Sequence, residues 1–216
     1  MVQLSCVFDV KDCFLSGSHD ELTADVVKLL PERDRRPTEV LLKTLLTTQH
    51  VSHYGDDEHL WRVRRGTGMG LLCSSDVADA ALYSRMERNF FDNEEVKRKL
   101  GIVMYARYRD DGVVATDKPW LIDKIISMMN VKAGYFKLEY ETRITRPIDF
   151  LDVTIWKGSR FRKSRLLDHK VYTKPTSIYT PLGISSLHVP SIHLTWPRAM
   201  IRRFRDRCYH DADFVS

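Results

Sequence analysis

Ile102-Val103-Met104-Tyr105-Ala106-Arg107-Tyr108-Arg109-Asp110-Asp111-Gly112-Val113-Val114-Ala115-Thr116 is a pair of apolar arms around an acidic tip. The arms carry β-branched and aromatic residues, and Asp-Asp-Gly suits the backbone angles of a tight turn, so the stretch reads as a β-hairpin. Alone, such a tip is ordinary turn chemistry. It gains meaning from Asp9, at the end of the apolar run Val2 to Val10, which reads as a buried strand presenting a carboxylate at its C-terminal end. Carboxylates on strand ends that meet in space repel one another and need a cation, and hard oxygen donors point to magnesium or manganese. A pair of such ions held by Asp9, Asp110 and Asp111 could activate a 3′-hydroxyl and steady a departing pyrophosphate, which is nucleotidyl transfer.

Outward from the hairpin, apolar spacing of three and four predicts helices. One runs from His19 to Leu30 with Ser18 as its N-cap, a second opens at Pro37 and Thr38 and reaches Leu46, and a third spans Ser74 to Asn89 with Val77, Ala81, Leu82 and Met86 on one face. After the hairpin come a helix from Pro119 to Met129 and strands at Tyr135 to Thr142 and Phe150 to Trp156. From Tyr172 the chain turns rich in Pro and Arg, with a helix expected at Pro197 to Cys208.

The 216 residues suffice to bury a core, and 43% hydrophobic with 29% charged residues excludes disordered, collagenous and coiled-coil classes. No apolar run approaches the roughly 20 residues of a membrane span, and Asp9 interrupts any signal peptide, so an intracellular protein without membrane contact is expected. The nucleus is the compartment expected. Four cysteines, Cys6, Cys13, Cys73 and Cys208, stand far apart and read as reduced, mostly buried side chains. A net charge of +5 is modest, but the cations cluster in three places. These are Arg62, Arg64 and Arg65; Arg160, Arg162, Lys163 and Arg165; and Arg198, Arg202, Arg203, Arg205 and Arg207, which suits a phosphate-rich partner.

Several blocks in fixed order carry a family resemblance. Phe8-Asp9-Val10-Lys11-Asp12-Cys13-Phe14 and Tyr108-Arg109-Asp110-Asp111 resemble the two metal-binding boxes of reverse transcriptases. Between them Gly66-Thr67-Gly68-Met69-Gly70, leading into Ser74-Ser75-Asp76-Val77-Ala78-Asp79, is similar to the family's template-gripping glycine loop and helix. Downstream, Asp149-Phe150-Leu151-Asp152-Val153-Thr154-Ile155, Tyr172-Thr173-Lys174-Pro175-Thr176 and Ser186-Leu187-His188 resemble blocks of Penelope-like retroelements, so the likeness extends from about residue 4 to residue 208.

The resemblance implies an α+β fold: a polymerase palm, an antiparallel sheet backed by helices, over residues 1–158, then a palm-thumb connection and the start of a thumb over 159–216. It implies RNA-directed DNA polymerisation on an RNA template and DNA primer with dNTPs, and Mg²⁺ or Mn²⁺ as two ions on Asp9, Asp110 and Asp111. Phe14 would exclude a 2′-hydroxyl, Gly68, Met69 and Gly70 would meet the substrate, and Tyr108, Lys174, His188 and Arg203 would contact nucleic acid. Lys132 and Lys137 are equal candidates for protonating pyrophosphate. His188 and His193 lack a third ligand type nearby, so zinc is not expected.

The pattern also departs from the family. Gly70 is followed by Leu71-Leu72-Cys73 where Ser-Pro is usual, and Met69 stands where glutamine is frequent. The fingers segment that normally precedes the first aspartate is expected to be absent, either supplied by a separate chain or larger assembly or lost. A catalytically inactive nucleic-acid-binding or scaffolding module is the alternative.

Overall fold

A computed structural model describes residues 4–53, 56–68, 71–144, 147–176, 183 and 185–215. The chain forms two compact units, Met1–Thr142 and Arg143–Ser216.

The first unit is built on a four-stranded sheet in the order β4-β5-β1-β6. Its strands are β1 (Leu4–Lys11), β4 (Ile102–Tyr108), β5 (Asp111–Thr116) and β6 (Lys137–Ile144). In β1, Cys6, Phe8 and Val10 are buried while Asp9 is exposed, the period of two expected of a strand with one face on a core. In β5, Val113, Val114 and Ala115 are all buried, so both faces of this strand are covered. The expected hairpin therefore forms between β4 and β5, with β4 at the edge of the sheet and β5 inside it.

Helices cover the sheet through their apolar stripes. Ile122, Ile125, Ile126, Met129 and Ala133 are the buried positions of helix Ile122–Ala133, spaced three and four apart until Gly134, at φ 67°, ends it. Helix His19–Val27 opens on the anticipated Ser18 with a complete capping box: Glu21 N–H donates to Ser18 Oγ, and Ser18 N–H donates to the Glu21 carboxylate. Leu22, Leu46, Leu82, Met86, Phe90 and Ile125 join one core, and burying each such side chain contributes about 1.5–3 kcal/mol.

Some elements differ from expectation. The helix expected to open at Pro37 starts at Glu32, because Glu32 and Asp34 place negative charge in its first turn, and Pro37 lies inside it. The hairpin of β2 (His50–His53) and β3 (Asp56–Arg62) was not anticipated, since its described residues face solvent on both sides and leave no alternation to read. Helix Glu94–Leu100 was also missed; Asn93 caps it by accepting from Glu95 and Val96 N–H, and Gly101 at φ 65° closes it. Helix Ser74–Leu82 continues through a π-helical turn, Tyr83–Glu87, into Arg88–Phe90.

The second unit carries a three-stranded antiparallel sheet, β7 (Ile148–Phe150), β8 (Val153–Trp156) and β9 (Asp168–Val171). The expected strand Phe150 to Trp156 is thus broken by a tight turn at Leu151, which adopts φ 54°. Helix Pro190–Arg207 begins seven positions before the expected Pro197, because Pro190 already supplies the fixed φ that suits a first turn. Asp168, 1% exposed, is held by Arg160 Nε at 3.1 Å, and the Arg160 guanidinium lies 3.6 Å from the Tyr209 ring centre.

Cys6, Cys13 and Cys208 are buried and Cys73 is half-buried, all as free thiols. Burial pushes the Cys6 and Cys13 thiols up to about 11, so they stay neutral. Among the described residues no helix is long and apolar enough to cross a membrane.

Candidate functional site

Pairing in the sheet brings the three aspartates into one neighbourhood. Asp9 stands opposite Asp111 in the β1–β5 register, and Val10 N–H donates to the Asp110 carbonyl at 2.9 Å. The Asp9 carboxyl is held above the ordinary carboxylate range, first by partial burial and then by the negative charges of Asp110, Asp111 and Glu139. Glu139, on β6, is itself pulled down by the Lys11 ammonium at 2.8 Å, with Lys137 at 3.6 Å.

The donors are hard oxygens, as a divalent ion requires, and the charges of Asp110, Asp111 and Glu139 add to burial in raising the Asp9 carboxyl. Yet among the described residues no three His, Cys, Asp or Glu side chains are gathered as a metal cluster. Like charges resist closer approach. Asp9, Asp110 and Asp111 are the residues that would hold such an ion.

What fixes the hairpin tip was not read from the sequence. Arg107, with a side chain only 10% exposed, donates from Nε to Glu87 at 2.6 Å and from Nη1 to Asp79 at 2.7 Å and to the Arg109 carbonyl at 2.6 Å. Arg109 also pairs with Asp79, and Tyr105 O–H donates to Glu87 at 2.6 Å. Burial opposes the charge on Arg107, but the Glu87 and Asp79 carboxylates outweigh it and raise its pKa, so it stays protonated. The available signal was a lone arginine inside an otherwise apolar strand.

The glycine loop meets the Phe14 segment. Thr67 N–H donates to the Phe14 carbonyl at 2.8 Å and Gly66 N–H to the Gly17 carbonyl at 2.9 Å. Gly66, at φ 76°, has no room for a side chain, because an added carbon would overlap the Phe14 carbonyl and Leu15. Gly68 adopts φ 65° beside Gln49, whose buried side-chain amide has no hydrogen-bond partner among the described residues. Ser74 Oγ donates to the Thr67 carbonyl at 2.7 Å, joining loop to helix. Phe14 is half-buried against the core. Met69 and Gly70 lie outside the described residues.

The nucleic-acid candidates separate. Tyr108 is 62% exposed at the hairpin, and Lys132, Lys137 and Lys174 are exposed. Within the second unit, the Ser186 hydroxyl and His188 Nδ1 are 2.5 Å apart, and His193 Nε2 lies 3.3 Å from the Ser186 carbonyl oxygen. Arg203 donates to Asp152 at 2.8 and 3.1 Å, and Arg207 pairs with the same carboxylate; burial pushes the Asp152 pKa up, but the two arginines outweigh it and draw it down. Arg203 is therefore engaged within the unit, tying helix Pro190–Arg207 to the β7–β8 turn.

The fold is shared with solved structures of telomerase. Apo telomerase from Candida tropicalis, truncated from its C-terminal domain, matches at a TM-score of 0.54 and 14% identity, over 71% of this chain and 34% of that one. Telomerase from Candida albicans, in complex with a TWJ fragment of telomeric RNA, matches at 0.53 and 16% identity, over 71% and 30%. The chain spans about a third of the length of these structures. No protein-family model and no curated protein matches it. At 12–16% identity the likeness shows a shared fold alone.

Proposed function

We propose that the chain is the palm and beginning of the thumb of a nuclear, Penelope-like RNA-directed DNA polymerase, extending a DNA primer on an RNA template with dNTPs. The observation that carries this reading is the pairing of Asp9 with Asp111 beside the turn that presents Asp110. Bound there, a pair of Mg²⁺ or Mn²⁺ ions would supply activation of a 3′-hydroxyl and charge stabilisation for pyrophosphate. Asp9, Asp110 and Asp111 hold the ions, Phe14 bears on the sugar, the glycine loop offers backbone to the substrate, and Tyr108, Lys174 and His188 meet nucleic acid.

Primer extension on an RNA template with Mg²⁺ tests this, with Asp110→Ala as control. Extension that the substitution abolishes is expected. Intact duplex binding without extension overturns it in favour of a catalytically inactive nucleic-acid-binding or scaffolding module.

A further inference from the structure

We propose that Asp79 and Arg107 are positioning residues for the acidic hairpin, through which the helix behind the glycine loop grips the tip and sets where Asp110 stands. This rests on the reading of Asp9, Asp110 and Asp111 as metal-binding acids.

A purely structural ion pair would need only Arg107 and Glu87, which meet at 2.6 and 3.1 Å. The remaining bonds are aimed at the turn itself. Arg107 Nη1 donates to the carbonyl of Arg109, the residue whose φ of 57° lies in the left-handed region that side-chain-bearing residues rarely adopt. The Arg109 guanidinium returns to Asp79, so one carboxylate receives both the strand arginine and the turn arginine. Asp110 follows directly, and its carbonyl accepts Val10 N–H beside Asp9. With its side chains tied down on both sides, the strained turn has one conformation available, and the acids inherit that geometry.

The same helix begins at Ser74, whose hydroxyl bonds the carbonyls of Thr67 and Gly68. One helix thus carries both the loop contact at Ser74 and the tip contact at Asp79.

The test uses Asp79→Asn in the full chain, which removes the charge that both arginines share and leaves the Arg107–Glu87 pair in place. Mn²⁺ binding, followed by electron paramagnetic resonance, and hydrogen exchange of the Val10 amide, followed by NMR, report the tip without requiring activity. Expected are a loss of about ten-fold or more in Mn²⁺ affinity and a Val10 amide exchanging about ten-fold faster, while the amides of Val113 to Ala115 keep wild-type protection. Asp79→Glu, which restores the charge, recovers part of both, and Arg107→Lys, which keeps charge but loses the planar fork, reproduces the loss. Wild-type Mn²⁺ affinity and Val10 protection in Asp79→Asn overturn the proposal. Wild-type protein that binds no Mn²⁺ overturns the reading of the acids themselves, and unchanged Val10 protection in Asp79→Asn then overturns the positioning role separately.

Discussion

Phe8 and Gly112 face each other across the two central strands, and the Phe8 ring lies so close over the glycine that any side-chain carbon at 112 would overlap it. Gly112 directly follows the acidic pair, so the same contact that seals the core under the hairpin also fixes the height at which its tip leaves the sheet. Gly112→Ala is expected to cost about 1–3 kcal/mol by overpacking. Trimming the ring in Phe8→Leu should recover part of that loss in the double variant. Urea denaturation of the four proteins checks it, and simple additivity of the two substitutions would contradict the contact.

Asp9 gives a pH signature. Its carboxyl is raised by partial burial and then by the charges of Asp110, Asp111 and Glu139, so the folded state binds this proton more tightly than the unfolded state does. The charged form therefore costs stability once pH has risen through the folded pKa. Asp9→Asn should melt at a higher temperature than wild type at neutral pH, with the gain shrinking to nothing below roughly pH 4, the unfolded carboxyl range. A variant that melts lower at neutral pH would refute the repulsion.

The Arg107–Glu87 pair is buried on both sides, whereas Lys99 and Glu95 meet on the surface with more than half of each side chain exposed. Glu87→Ala takes from the buried Arg107 guanidinium one of its two carboxylate partners and removes the acceptor of Tyr105 O–H, so a loss of about 3–5 kcal/mol is expected. Glu95→Ala should change stability by no more than about 1 kcal/mol. Chemical denaturation of the two variants side by side measures the contrast.

Cations of the second unit should divide by their partners. Lys174 and Arg198 are exposed, while Arg203 is occupied by Asp152. On the proposed function, Lys174→Ala or Arg198→Ala weakens binding to an RNA–DNA duplex and lowers the slope of log affinity against log salt by about 1. Arg203→Ala should instead lower the melting temperature of the unit. Titrations at several salt concentrations, with thermal melts of the same proteins, decide between these effects.

Much of the scaffold was legible because its signals are local. The stripe from Ile122 to Ala133 and the Ser18–Glu21 box each lie within a few residues of chain, where backbone geometry alone dictates which side chains share a face. The hairpin at Asp110 was legible for the same reason. The solvent-facing strands at 50–62 carry no such pattern, and the short helix Glu94–Leu100 rests on one asparagine cap, so neither stood out. Arg203 illustrates what such signals leave out: its charge was plain, but its partner Asp152 lay 51 positions away.

From the order of residues alone came two strand ends bearing carboxylates, the glycine-rich loop, and the helices that would back them, since hydrophobic period and turn chemistry act over single turns of backbone. Only the folded chain decided that Asp9 would stand opposite Asp111, and that Asp79 would take both Arg107 and Arg109. A local pattern states which face a side chain occupies; the charge it meets there depends on strand register and helix packing between segments far apart in the chain.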